Sequence, residues 1–398
     1  MNNLFHLKIY IIIILSFFVL TKFIIINNCQ LFLKNNEKLI LKFQNKIQIK
    51  ISNFIELFAD NNIKNNSILI FEPNAYHFEC TPGYTKYFIE LGYNVDILMH
   101  KYGIDTFSLY EETENIRLFV FENINFIHKY SKILSFAIKK YSLIILQTAD
   151  INNKDLFNKL DLLSINNSFF VFHNLEGTEN PIYSQYYNKS RIWTVGNFSK
   201  GLQVNPHYFG NIRIKNKNKK TRFFMTSSIS RNYKYLFSSF EKLKREKYNF
   251  EIIVTGWVKS NKLEKIAKTM KDIFQIKYKV SYNELYTIVK SCDYIIIPFD
   301  IFKSFSIRYK TTKSTGSIQL SYGFLKPIII NENYSEIYNL NDKNSLIYKN
   351  YSDLYNVIKK AILLSNKDYK SLENNLYISA KEIYEFSINN IKKSIKNF

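Results

Sequence analysis

Ser67-Ile68-Leu69-Ile70-Phe71 runs into Glu72-Pro73-Asn74; Tyr84, Tyr87, Phe88 and Leu91 then recur at helical spacing before Gly92 and Asn94-Val95-Asp96-Ile97-Leu98-Met99. These residues decide the fold class. A short apolar run that stops at a proline reads as a strand buried on both faces. The spacing predicts a helix from about Pro82 to Leu91, which Gly92 stops. Asn94 to Met99 is the next strand. Strand, helix and strand with short links make one βαβ unit, the building block of a parallel sheet.

The same rhythm extends in both directions along the chain. Arg117-Leu118-Phe119-Val120, Leu143-Ile144-Ile145-Leu146 and Ser168-Phe169-Phe170-Val171-Phe172 are further apolar runs separated by helical stretches. Residues 211–221 are polar and basic, and read as a linker between domains. A second series follows, with strands at Arg222-Phe223-Phe224-Met225-Thr226, Phe250 to Thr255, Tyr294 to Ile297 and Pro327 to Ile330. Helices are expected near 232–247, 260–271, 282–291 and 315–323, and over most of 351–397. The chain therefore reads as α/β, with two Rossmann-like doubly wound parallel-sheet domains. The N-terminal one spans 67–210 and the C-terminal one 222–365, with a helical segment at 366–398. A hydrophobic segment at 1–30 and a connector at 31–66 come first.

Residues Ile9 to Ile26 are apolar except for Tyr10, Ser16, Thr21 and Lys22. As a helix they would extend about 27 Å, close to the thickness of a bilayer core. No small-residue cleavage site follows, so an uncleaved anchor is expected. Lys34, Lys38, Lys42, Lys46 and Lys50 crowd the far flank. By the positive-inside rule the bulk of the chain then lies on the cytoplasmic side of the cell membrane, membrane-associated or single-pass. A buried or interfacial helix is the competing reading.

The 398 residues carry 55 Lys and Arg against 33 Asp and Glu, a formal charge of +22. That suits an anionic partner, either a membrane surface or a nucleotide; scattered Lys and Asn equally suit a coding bias. With no RNA-recognition or zinc-finger signature, nucleic acid is not an expected partner. Cys29, Cys80 and Cys292 are odd in number and far apart, which argues against a disulfide framework or structural zinc.

Several motifs carry chemistry. Thr315-Gly316-Ser317 opens a helix, and a helix N-terminus offers free N–H groups and a positive dipole end to a phosphate. An ordinary N-cap has the same residues. Arg231 and Lys234 follow the first strand of the second series, at the sheet edge where ligands bind in open α/β folds, and could offset a departing diphosphate; two solvated cations would look alike. In the first half, Tyr76-His77-Phe78-Glu79 lies in the loop after the first strand. His77 and Glu79 are its titratable groups, suited to taking a proton from an acceptor hydroxyl. His173 and Asn174 directly follow the strand ending at Phe172, with Glu176 a weaker candidate. His100 also ends a strand. A hydrogen-bonded structural histidine is the alternative for each. His6, His128 and His207 belong to no constellation. Most Tyr and Phe rings are expected in the core; exposed ones near Tyr76, Tyr84 or Tyr183 could stack on a ligand.

The ordered set of motifs from about 67 to 365 resembles GT-B glycosyltransferases, specifically the large retaining family that uses nucleotide-sugars. The resemblance rests on Phe224-Met225-Thr226-Ser227-Ser228 with Arg231, Lys234 and Leu236, and on Ile252-Ile253-Val254-Thr255-Gly256. Ser281 to Tyr286, Cys292 to Pro298, and Tyr309 to Pro327 complete it. It implies two domains facing across a cleft, a nucleotide-sugar as co-substrate with no further cofactor, and retention at the anomeric carbon; no Asp-x-Asp cluster stands at a strand end, so metal-independent chemistry is expected. It implies donor contacts at Ser227, Ser228, Arg231, Lys234, Gly256, Tyr309, Thr315, Gly316 and Ser317. The proton-handling groups would be His77, Glu79 and His173, and Tyr76 and Asn174 would meet the acceptor. The implied activity is transfer of a hexose-type sugar to a surface glycan, in one form lipid-linked, as in polysaccharide biosynthesis. One departure stands out: the family's two glutamates spaced eight apart are missing, since Tyr309 to Tyr322 holds no acidic residue. A non-catalytic nucleotide- or glycan-binding protein on the same frame is the alternative.

Overall fold

The computed structural model describes residues 50–53, 63, 66–109, 115–149, 154–162, 164–175, 191–198, 201–207, 212, 214–226, 233–256, 261–299 and 304–396. The apolar segment 9–26 lies outside them. No helix of the described residues is long and apolar enough to cross a membrane.

The chain divides into two compact units. The first comprises Met1–Ala75, Phe88–Ile145 and Asn153–Ser168; the second comprises Tyr76–Tyr87, Leu146–Asn152 and Phe169–Phe398. Strands of the first unit are β1 (Lys50–Asn53), β2 (Ser67–Glu72), β3 (Asn94–His100), β4 (Ile116–Phe121) and β5 (Leu143–Leu146). They are ordered β1-β4-β3-β2-β5. Ser67 pairs with Asn94 and Val95 with Ile116, both in parallel. Ile68, Leu69 and Ile70 are wholly buried, as expected of a strand covered on both faces. Helix α1 (Thr81–Glu90), which falls in the second unit up to Tyr87, connects β2 to β3 along the chain. At its end, Gly92 takes φ 83° and bonds back to Ile89 O at 2.9 Å, a conformation glycine adopts without strain. Helices α2 (Ile124–Lys129), α3 (Ser131–Ile138) and α4 (Lys154–Lys159) flank the later strands.

In the second unit, β6 (Ser168–Phe172), β7 (Ile192–Thr194) and β8 (Leu202–Gln203) lie side by side in parallel. A six-stranded parallel sheet follows. Its strands are β9 (Thr221–Thr226), β10 (Phe250–Gly256), β11 (Phe274–Tyr278), β12 (Tyr294–Ile296), β13 (Ile328–Asn331) and β14 (Leu346–Tyr348), in the order β11-β10-β9-β12-β13-β14. Strand order reverses direction between β9 and β12, the switch point where open α/β sheets hold ligands at their carboxyl edge. The helices are α5 (Tyr233–Arg245), α6 (Asn261–Thr269), α7 (Tyr282–Ser291), α8 (Ser304–Thr311), α9 (Gly316–Phe324), α10 (Glu332–Ser335), α11 (Leu354–Leu363) and α12 (Asn366–Lys396).

Helix α5 shows why the sheet is covered. Tyr233, Leu236, Phe237, Phe240 and Leu243 recur at three and four residues, so one face is apolar. That face joins Phe223, Phe250, Ile252 and Tyr294 in a single core. Each such side chain contributes on the order of 1.5–3 kcal/mol by leaving water. Residues 214–220 lead into β9 without regular structure but are anchored: Asn218 N donates to Asp293 Oδ1 at 2.9 Å and Lys215 N to Glu373 Oε2 at 3.2 Å. The long helix α12 is tied to the β7–β8 strands. Trp193 Nε1 donates to Ser394 Oγ at 3.1 Å, and Asn205 N to Ser387 Oγ at 2.9 Å.

Candidate functional site

Three strands of the six-stranded sheet deliver side chains to one place. Thr226 ends β9, Thr255 and Gly256 end β10, and Lys279 and Val280 follow β11. With Gly316, Ser317 and Leu320 of α9, Tyr282 and Leu285 of α7, and His77 and Glu79, they line a cavity of about 400 Å³. Thr226 Oγ1 and Ser317 Oγ are 2.9 Å apart, which ties the end of β9 to the first turn of α9 across the switch point. Thr315 precedes the helix in an extended conformation, and its side chain makes no capping hydrogen bond. The side-chain N-cap is therefore not formed: the Thr315 carbonyl accepts from Ile318 N at 3.1 Å, while the Thr315 side chain caps neither Gly316 N nor Ser317 N. A small residue at Gly316 keeps that end open.

His77 and Glu79 enter this cavity from the loop before α1. His77 has φ 65° and ψ 17°, a left-handed conformation costly for a residue with a Cβ. Gln147 Nε2 donates to the His77 carbonyl at 2.8 Å and Cys80 N donates to it at 3.2 Å, which hold the turn in place. The His77 ring stacks on His173, with centroids 4.1 Å apart and planes 21° apart, and meets Tyr76 edge-on at 4.9 Å. Its Nδ1 lies 3.5 Å from Glu79 Oε1.

Glu79 is the acid of the site. Its Oε2 accepts from the Tyr282 hydroxyl at 3.2 Å. Oε1 would lie 3.6 Å from a Cβ placed on Gly316, so the carboxylate sits beside the N-terminus of α9. Burial alone would push this carboxyl up. The hydrogen bond and charge of His77 outweigh it, helped by its own backbone N–H and by Tyr282, and the carboxyl titrates below its ordinary value. Burial, and then the charge of Glu79, push the Tyr282 phenol well up, so it remains a donor. Cys80 Sγ donates to Gln319 Oε1 at 3.2 Å, a further tie between this loop and α9.

His173 lies behind His77 rather than in the cavity. It is 8% exposed, and its Nε2 is 3.1 Å from the Gln147 carbonyl, which can only accept, so Nε2 carries the hydrogen. Burial pulls its pKa well down and the charge of His77 adds to this, against the pull of the Gln147 carbonyl. His173 is thus a neutral ring supporting His77. Its backbone is fixed by the strand-like pairing of 173–175 with 312–314: Ser314 N donates to His173 O at 3.2 Å and Leu175 N to Thr312 O at 2.8 Å. Asn174 bridges Lys313 in that pairing.

The sequence-expected residues thus divide. His77, Glu79, Gly256, Gly316 and Ser317 converge on one cavity. Tyr76 is exposed beside His77. Tyr309 is buried against Phe299, and its carbonyl accepts from Tyr338 at 2.8 Å, so it does not line the cavity. Lys234 is exposed on α5, 5.7 Å from the Tyr235 ring, and also does not line it. Ser227, Ser228, Arg231 and Glu176 lie outside the described residues. Thr226, Thr255, Lys279, Tyr282 and Gln147 were missed as individual site residues. For Thr226, Thr255 and Gln147 a signal existed, since each ends or directly follows an apolar run legible as a strand. Lys279 and Tyr282 had none, because β11, which precedes them, was not legible in the sequence.

No family model matches this chain, and no curated protein sequence does. Solved structures do. A glycosyltransferase from Rickettsia africae is similar at a TM-score of 0.50 and 14% identity, over 84% of this chain and 99% of that one. A glycosyltransferase involved in avilamycin A biosynthesis is similar at a TM-score of 0.50 and 7% identity, over 82% of this chain and 97% of that one. At such identities the likeness shows fold alone, and the fold it shows is the parallel-sheet α/β arrangement of GT-B glycosyltransferases.

Proposed function

We propose that this protein is a glycosyltransferase that moves a sugar from a nucleotide-sugar to a surface-glycan acceptor, lipid-linked in one form, on the cytoplasmic side of a membrane and without a metal. The reading is carried by one observation: the open N-terminus of α9 shares a cavity with the His77–Glu79 pair at the carboxyl edge of β9, β10 and β11. The N–H groups of Gly316 and Ser317 would hold the diphosphate, with Lys279 supplying a positive charge at the same cavity. An acceptor hydroxyl would attack the anomeric carbon as the sugar–phosphate bond breaks, and the diphosphate would leave with the electron pair. The hydroxyl proton would pass to the His77–Glu79 pair. A carboxylate at residue 79 also puts an acid beside α9, where Tyr309 to Tyr322 supplies none.

Titration calorimetry with UDP, GDP, ADP and CDP tests the first half of this. Binding of at least one at micromolar to millimolar concentration is expected, and binding of none sinks it. The second reading, a nucleotide- or glycan-binding protein without catalysis, is favoured by that acid-free 309–322 stretch. It would show nucleotide binding with no diphosphate release from any nucleotide-sugar, whatever acceptor is offered. Activity unchanged by EDTA is expected; its loss, restored by a divalent cation, would remove the metal-independent part.

A further inference from the structure

The helical run of α2 and α3 is joined at Tyr130, which leaves the helical conformation (φ −101°, ψ 14°) without interrupting the bonding on either side. Tyr130 N donates to Phe126 O at 3.0 Å and Leu134 N donates to Tyr130 O at 2.9 Å, so helical bonding passes through the joint. Ile127, Leu134, Ala137 and Ile138 are its buried face. The opposite face is unusual for a protein surface. Phe136 is 76% exposed, Phe126 45% and Ile133 41%. Phe126, Lys129, Ile133, Phe136 and Lys140 recur at intervals of three and four residues and so form one stripe, with Lys132 and Lys139 beside it. The stripe itself holds no acidic side chain. Lys139 is 3.0 Å from Asp161, whereas Lys132 and Lys140 make no ion pair among the described residues. Rings flanked by lysines on the outer face of a helix match the chemistry of an anionic bilayer surface: the rings enter the acyl boundary while the ammonium groups meet phosphates. A partner protein with an apolar groove would not need the basic flank.

We propose that the Phe126–Phe136 face of this helical run seats on an anionic lipid surface. The contact is separate from the apolar segment 9–26 and does not rest on the transfer reaction. It would give the first unit its own point of attachment, with Phe126, Ile133 and Phe136 as the inserted groups and Lys129, Lys132 and Lys140 as the headgroup contacts.

The test uses the full chain carrying Phe136→Trp, with brominated-lipid vesicles of phosphatidylcholine alone or mixed with phosphatidylglycerol. The expected result is blue-shifted, quenched emission with the mixed vesicles and none with phosphatidylcholine alone. Adding Lys132→Glu and Lys140→Glu should weaken partitioning measured at this tryptophan by about tenfold. Phe386→Trp, a comparably exposed ring on α12, serves as the control and should not be quenched. Absence of quenching at Phe136→Trp, or equal quenching at Phe386→Trp, would overturn the proposal. So would blue-shifted emission before vesicles are added, which would mean that residues 1–49 or a second copy covers this face. Nucleoside-diphosphate binding by the same variants reports on folding and on the second unit's cavity, so failure of the lipid contact and failure of the transferase reading are distinguishable.

Discussion

The Tyr282 hydroxyl donates to Glu79 at 3.2 Å, and the carboxylate so held lies beside the first turn of α9. An ionised carboxylate held by a phenol and a histidine can take up a proton or accept from sugar hydroxyls. Glu79→Gln keeps an acceptor for Tyr282 but removes the charge. We expect transfer to fall about a hundredfold, in the range typical of general acid–base groups, while nucleoside-diphosphate affinity changes little or rises. Single-turnover kinetics beside calorimetry would separate the two, and equal losses in both would contradict the assignment.

The same variant has a pH signature. Glu79 titrates below its ordinary carboxylate value in the folded protein. Its contribution to stability is therefore fully present above the unfolded-state pKa and is lost as pH falls through the lower folded value. Denaturant unfolding at pH 5 and below measures the difference between wild type and Glu79→Gln, which should be at full size at pH 5. The gap should close as pH falls below about 4.

Gly316 is where packing and binding separate. A Cβ there meets only Glu79 Oε1, at 3.6 Å, an ordinary contact. Gly316→Ala should therefore fold and be as stable as wild type or up to about 1 kcal/mol more so, since alanine is the better helix former. The added methyl stands at the open N-terminus of α9, so nucleoside-diphosphate affinity should fall about tenfold. Affinity unchanged in a stable Gly316→Ala variant would move the phosphate site elsewhere.

The sequence made the frame legible through runs such as Ser67 to Phe71 and Phe250 to Thr255, long enough and apolar enough to be read without tertiary context. It did not disclose β1, β7, β8, β11 or β14. β7 and β8 have three and two residues, too short for periodicity, and β11 (Phe274–Tyr278) mixes Gln275 and Lys277 into an edge strand that is largely uncovered. At the site, Gly316, Ser317 and His77 could be found because phosphate binding and proton transfer restrict residue type and place. Nothing local marked Tyr309 as a packing residue, since its burial comes from Phe299 and Tyr338. Nor could the Tyr282–Glu79 bond be foreseen, because it joins positions 203 residues apart.

Gly83 gives a purely structural prediction. A Cβ there would stand 1.6 Å from the Pro206 carbonyl oxygen, a backbone atom that cannot swing aside. Gly83→Ala should lose about 3 kcal/mol or more, or fail to accumulate as folded protein, because α1 must shift from the chain at 204–206. Tyr84 and Tyr87 would be disturbed too, since their hydroxyls bond to the Val204 and Asn205 carbonyls. A thermal midpoint equal to that of wild type would show that the close approach is not obligatory.

His207 is 3% exposed, and neither ring nitrogen has a hydrogen-bond partner among the described residues. Burial holds its pKa well below the usual histidine value, as it does for His173. Both rings are then neutral when folded but take up protons when unfolded at acid pH. Stability should be flat above about pH 7 and fall below about 6.5, with a slope approaching 2.7 kcal/mol per pH unit if both contribute fully. His207→Leu removes a buried polar ring with nothing to lose in hydrogen bonds. We expect it to be neutral or stabilising by about 1 kcal/mol at pH 7.5 and to remove about half of the acid slope. Denaturant midpoints at pH 7.5, 6.5 and 5.5 measure both effects. Marked destabilisation at pH 7.5 would mean that the His207 ring has a polar partner after all, and an unchanged acid slope would place the proton uptake at other groups.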